Sequence, residues 1–187
     1  MKFDNSFVVP IPPAQAWPLL LDVPAIAPCL PGAEIVEDLG GRRYRGRATI
    51  KVGPVQLGFD GEAAIVAADD AAMTARVVAQ GHEKKGRGNA SAVVDFALAP
   101  DPGGARITVA TELNLVGAVA QYGRGVSLMR DIADQLIGRF AANLETLVRA
   151  TAGETAAVAP VAGPASGLGL IGGAIKAAAR RKFGNAP

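Results

Sequence analysis

Side chains able to do acid–base or nucleophilic chemistry are scarce in this 187-residue chain. His82 is the only histidine, and its neighbours Glu83, Lys84 and Lys85 mark a polar hairpin tip. A Ser–His–acid triad or a Cys–His pair would have to use that one residue. Cys29 is the only cysteine. It excludes an internal disulfide, fits a reducing compartment and has its simplest role as a small core residue. No Cys/His cluster has the spacing of a zinc or iron site. Asp69-Asp70 reads as a turn rather than a metal pair. Gly86-Arg87-Gly88 and the glycines of 167–173 lack the strand–GxGxxG–helix setting of a dinucleotide loop and the lysine of a phosphate loop. Arg43, Arg45, Arg47 and Lys51 line one strand face without interleaved aromatics, so a solvated face is expected rather than a nucleic-acid site. Catalysis by side chains is therefore not expected. A cavity-based lyase or hydrolase would need an inward Asp, Glu or His that the pattern does not supply.

The elements carrying these residues follow from hydrophobic spacing. Lys2–Val9 reads as a strand stopped by Pro10, and Pro12-Pro13 suit the first turn of a short helix over 14–21. Asp22 precedes a second helical turn or two, closed by Pro31-Gly32. From Ala33 to Val116 the period becomes two, with turn signals at Gly40-Gly41, Gly53-Pro54, Asp69-Asp70 and Asp101-Pro102-Gly103-Gly104. Tyr44, Gly46, Ala48, Ile50 and Val52 share one strand face. Val55, Leu57, Phe59, Ala63 and Ile65 share a face of the next. Later strands are expected over about 72–81, 87–99 and 105–116. Val126, Met129, Ala133, Leu136, Phe140, Leu144 and Leu147 then recur at threes and fours, which predicts one long helix over about 118–150. The expected class is α+β: a curved antiparallel sheet of about seven strands wrapped around that helix, with two short helices after the first strand.

Many inward sheet positions are tiny. Gly46, Ala48, Gly61, Ala63, Ala75, Ala90 and Ala92 fall on the core phase, and only 5% of the residues are aromatic. Two readings stay open here: an apolar cavity beneath a curved sheet, or a helix packed close on small side chains. Trp17, Leu20, Leu30, Phe59, Tyr122, Val126 and Met129 would be the larger wall residues. With Ala63, Ala90 and Ala92 they form the candidate ligand cavity.

The last stretch has a different composition. Residues 151–167 are an Ala/Pro/Gly linker, and 168–187 begin oily and end cationic. This tail holds four cations and one anion, which leaves 15 Lys+Arg against 16 Asp+Glu for the domain of residues 1–150. Leu168, Leu170, Ile171, Ile175 and Phe183 with Lys176, Arg180, Arg181 and Lys182 form a candidate membrane-docking segment. Lys182 falls back among the apolar residues on a helical wheel. Gly169, Gly172 and Gly173 each cost about 1 kcal/mol in a helix interior. Each cation adds about 1 kcal/mol at an anionic surface. Weak, reversible docking is expected; a disordered solubilising tail and a segment that docks on a partner protein remain open. The uncharged run is interrupted by Pro160 and Pro164 and is no spanning helix. The N-terminus, with Asp4 and no long apolar run, is not expected to be a signal peptide.

The element order, with Trp17 in the first helix and Asp22 at its end, resembles the START-like helix-grip superfamily (SRPBCC). More narrowly the chain is similar to the G-subunit family of carbon monoxide dehydrogenase. The residues that carry the likeness are Cys29-Leu30-Pro31-Gly32-Ala33, Val52-Gly53-Pro54-Val55 and Phe59-Asp60-Gly61. Gly81, the run Lys85-Gly86-Arg87-Gly88-Asn89-Ala90, and Gly117-Ala118-Val119-Ala120-Gln121-Tyr122-Gly123 complete it. The resemblance implies a ligand cavity between sheet and last helix. It also implies a non-catalytic accessory of a molybdenum-containing dehydrogenase, recruiting that enzyme to the inner face of the cytoplasmic membrane. Cavity and tail together lead to the expectation of an apolar small molecule, a quinone, carried between bilayer and enzyme. No cofactor of its own is expected, and no metal or nucleic acid. A recruiter or assembly factor without a ligand is the alternative.

Overall fold

The computed structural model describes residues 1–52, 54–124 and 126–157, with side chains described throughout except at 123, 124, 126 and 152–157. In chain order these form β1 (Lys2–Val9), α1 (Pro13–Leu21), α2 (Val23–Ile26), a 3-10 turn (Ala27–Cys29) and β2 (Ala33–Gly40). There follow β3 (Arg43–Val52), β4 (Val55–Asp69), β5 (Thr74–Glu83), β6 (Gly88–Asp101) and β7 (Gly104–Gly117). A second 3-10 segment (Ala118–Arg124) leads into α3 (Val126–Ala157). The seven strands form one sheet in the order β1-β7-β6-β5-β4-β3-β2. Every neighbouring pair is antiparallel, so β1 and β2, separated by the short helices, become the two edges. This is the α+β architecture the alternation predicts and the helix-grip arrangement the resemblance implies.

Local chemistry fixes the corners. Pro12 and Pro13 open α1, where a missing N–H costs nothing. The Asp22 carboxylate caps α2 by accepting from the Ala25 N–H at 3.2 Å. Gly32 enters β2 at φ 80°, and a Cβ there would stand 2.2 Å from the Thr49 carbonyl oxygen. The Gly32 carbonyl in turn accepts from the Thr49 N–H at 2.8 Å. Only glycine allows that approach. Asp69 accepts from the Ala71 and Ala72 N–H groups, each at 2.9 Å, which is the turn expected of Asp69-Asp70. The Arg43, Arg45 and Arg47 face is exposed and paired with Glu62, Glu37, Glu34 and Asp60.

The buried interior falls into two apolar clusters. One gathers Val9, Trp17, Leu20, Cys29, Ile65, Leu98, Ile107 and Leu144, with Phe140 and Leu147 packed against it. Phe7 meets Phe140 edge-on at 5.8 Å between ring centroids, which seats α3 on β1. Asn143 Nδ2 donates to the Cys29 carbonyl at 2.9 Å, joining α3 to the first 3-10 turn. The other cluster gathers Val52, Leu57, Phe59 and Val119, with Tyr122 and Ile132 against it. Cys29 is 5% exposed, and burial pushes its thiol above the ordinary range, as befits a core residue.

Three expectations are corrected. The last helix, α3, runs to Ala157 rather than ending near Ala150. The run Thr151 to Ala157 holds no proline, so nothing in it stops a helix before Pro160. Trp17 is a core residue and does not face open space: its indole N–H donates to Asp70 at 2.8 Å and its ring tilts against Phe96. Glu83, read as part of a polar hairpin tip, is buried at 2% exposure. The membrane-docking residues Leu168 to Phe183, and the side chain of Val126, lie outside the described residues.

Candidate ligand-binding site

Register converts the small residues of separate strands into continuous rows. Gly46 pairs with Gly61, Gly61 with Gly81, and Gly81 with Ala90. One row over, Tyr44 pairs with Ala63, Ala63 with Ala79, and Ala79 with Ala92. Side chains of antiparallel partners stand on the same face, so a glycine-rich band, and beside it an alanine band that ends at Tyr44, cross the inner sheet. The first band also brings backbones together. A Cβ on Gly61 would lie 2.0 Å from the Gln80 carbonyl oxygen and 2.6 Å from the Gly81 Cα.

Between these bands and α3 lies a hollow of about 440 Å³. That is within the range of about 300–1,000 Å³ typical of small-molecule pockets. Of the candidate cavity residues, Leu20, Leu30, Phe59, Ala63, Ala90, Ala92, Tyr122 and Met129 line it, and Trp17 does not. Gly46, Ala48 and Gly61 also face it, whereas inward Ala75 is packed in the first cluster. Ile50, Leu57, Ile65, Val77, Ala79, Gly81, Leu113 and Phe140 complete the wall. Ala79 and Gly81 share the inward phase of β5 with Ala75, from which they follow by twos. Of the two readings left open by the small residues, the structure has the hollow.

The polar residues along the wall are mostly there by backbone. Glu34, Arg47, Glu62, Gln80 and Ser91 alternate with inward residues and border the hollow beside its bare positions. Arg47 spends its charge on the outer face, 3.7 Å from Glu34 and 3.4 Å from Asp60. Inward-facing lining residues with a polar side-chain atom reduce, among the described residues, to Tyr44 and Tyr122.

One ion pair is buried beside the second cluster. Glu83 accepts from Arg87 Nη2 at 2.7 Å and from the N–H groups of Lys85 at 2.8 Å and Arg87 at 3.2 Å. The Arg87 guanidinium, then those backbone donors, hold the Glu83 carboxyl at about 2 against burial, which opposes ionisation. The Arg87 carbonyl accepts from the Val119 N–H at 2.9 Å, so this loop anchors the segment that leads into α3. With three donors on its carboxylate and almost no exposure to solvent, Glu83 is a structural carboxylate. Its folded pKa lies below the unfolded value of about 4.3, so its contribution to stability is present above that pH and is lost as pH falls toward 2. Urea midpoints measured from pH 6 to pH 2 should fall across the lower part of that range. Glu83→Gln should be less stable at neutral pH and should lose part of that fall.

The sheet, the two short helices and a hollow beneath the last helix define a START-like helix-grip protein. The chain belongs to the CoxG family, the G subunit of carbon monoxide dehydrogenase, whose model matches residues 6–149. No curated protein matches the sequence. A conserved protein from Geobacillus kaustophilus has a similar structure, with a TM-score of 0.69 at 18% identity over 80% of this chain and 97% of that one. A Thermus thermophilus protein gives 0.56 at 17% identity, over 81% of this chain and 99% of its own. A Mycobacterium smegmatis protein gives 0.55 at 15%, over 80% and 92%. At these identities the structural likeness concerns the fold. Among the described residues, no helix is long and apolar enough to cross a membrane.

Proposed function

We propose that this protein is a non-catalytic, ligand-carrying accessory of a molybdenum-containing dehydrogenase of the carbon monoxide dehydrogenase type. Its ligand is an apolar molecule, a quinone, held in the hollow between the small-residue bands and α3. The observation that carries this reading is a cavity of about 440 Å³ lined by aliphatic and aromatic side chains, where a helix could have closed on the sheet. Burying the ring and first isoprene units there would contribute roughly 25 cal/mol per Å² of apolar area removed from water. The family links the chain to the dehydrogenase. The tail of Leu168 to Phe183 brings the domain to the inner face of the cytoplasmic membrane, reversibly, so that cargo can leave with it.

The test is to incubate the full chain with vesicles of anionic lipid containing an isoprenoid quinone, separate protein from vesicles, and extract what the protein retains. Quinone retained near one per chain supports the carrier; protein that neither retains quinone nor protects it from added reductant refutes it. Flotation of the full chain against a chain ending at Ala152 tests the tail. Equal flotation of both would remove its membrane role and leave the cavity claim standing.

A further inference from the structure

The two tyrosines of this chain, Tyr44 and Tyr122, both line the hollow, and their surroundings are electrically opposite. Tyr44 stands on the side of α1 and α2, where burial and the Asp38 and Asp22 carboxylates push its pKa up. Leu30, on the same side, is an exposed apolar residue of the wall, at 39%. Tyr122 packs in the other cluster, with Val52, Leu57 and Phe59. Arg87 stands near Tyr122, and its Nη2 also reaches the Gln56 carbonyl at 3.3 Å. The Arg87 Nε–H is buried and has no acceptor among the described residues. The Tyr122 hydroxyl makes no hydrogen bond to another described residue.

Resting on the carrier reading above, we infer that the Tyr122 end of the hollow recognises a neutral acceptor oxygen, a ketone or quinone carbonyl, at the head of an otherwise apolar ligand. The hydroxyl supplies the donor, since a phenol O–H in an apolar wall is costly while unpaired. The nearby Arg87 cation favours electron-rich oxygen. That cation is already neutralised by Glu83, so a second carboxylate would gain little from Arg87 and would be repelled by Glu83. A fatty acid is therefore the wrong head, and a carbonyl the right one. The carboxylates beside Tyr44 disfavour an acceptor at the opposite side. The ligand is thus oriented head toward Tyr122, with its chain leaving past Leu30.

Binding to the full chain is measured by displacement of a neutral apolar dye. The competitors are a short-prenyl quinone, an isoprenoid hydrocarbon without oxygen, and a fatty acid of similar length. The wild type should prefer quinone to both. Tyr122→Phe should weaken quinone about three- to tenfold, the worth of one net hydrogen bond, and leave the hydrocarbon and the dye unchanged. Tyr44→Phe should keep the preference for quinone. A Tyr122→Phe protein that still prefers quinone, or a wild type that prefers the fatty acid, overturns the head-group assignment while the carrier survives. A wild type that takes up neither dye nor quinone overturns both.

Discussion

Replacing Gly61 by Ala should cost about 3 kcal/mol and lower the melting temperature by about 10 °C, although it adds a single methyl group. The new Cβ would meet the Gln80 carbonyl oxygen at 2.0 Å and the Gly81 Cα at 2.6 Å, and both are backbone atoms of the neighbouring strand. No rotamer can relieve that clash; β4 and β5 must separate where Gly61 pairs with Gly81. The matched control is Gly138→Ala in α3, where nothing lies within 4 Å of the added carbon. That change should stabilise by about 1 kcal/mol, because alanine loses less conformational freedom in a helix. Thermal melts followed by circular dichroism decide the pair. Equal small effects at both sites would mean that the glycine band is not needed for the close approach of the strands.

The second large effect concerns binding. Ala92→Phe should reduce affinity for an apolar ligand by about 100-fold or more, an effect worth about 2.7 kcal/mol. Ala92 lies on the inward phase of β6, in the row with Ala79 and Ala63, and lines the hollow. A benzyl group there occupies the space proposed for the ligand. Extra volume in a well-packed core costs typically about 1–3 kcal/mol through strain. In a hollow the ring finds room, so the melt should move little while dye and quinone titrations flatten. A variant that binds as the wild type does would place the ligand elsewhere.

Much of this molecule is legible in its residues. The alternation of β3 and β4, the proline and glycine punctuation and the threefold-fourfold repeat of α3 fix the element order. The small inward residues, projected across strands, foretell the two bands. What stayed hidden depends on contacts far apart in sequence. The register slips between Ile65 and Ala67, so Ala68 rather than Ala67 meets inward Ala75, and counting by twos fails past that point. Glu83 sits in a run of polar residues, yet strand pairing places it opposite Phe59 and buries it. Trp17 looked like a wall residue because of its size. Its indole N–H is instead satisfied by Asp70, 53 residues away, and that bond draws the ring into the packed cluster.

The hollow is the centre of the functional reading, and one measurement addresses it most directly. Crystals of the full chain grown with a short-prenyl quinone should show elongated density between the Gly46–Gly61–Gly81 band and Met129 and Phe140, its ring end against Tyr122. A hollow left empty at saturating quinone, with α3 closed onto the sheet or the quinone bound only on the outer surface, would contradict the carrier.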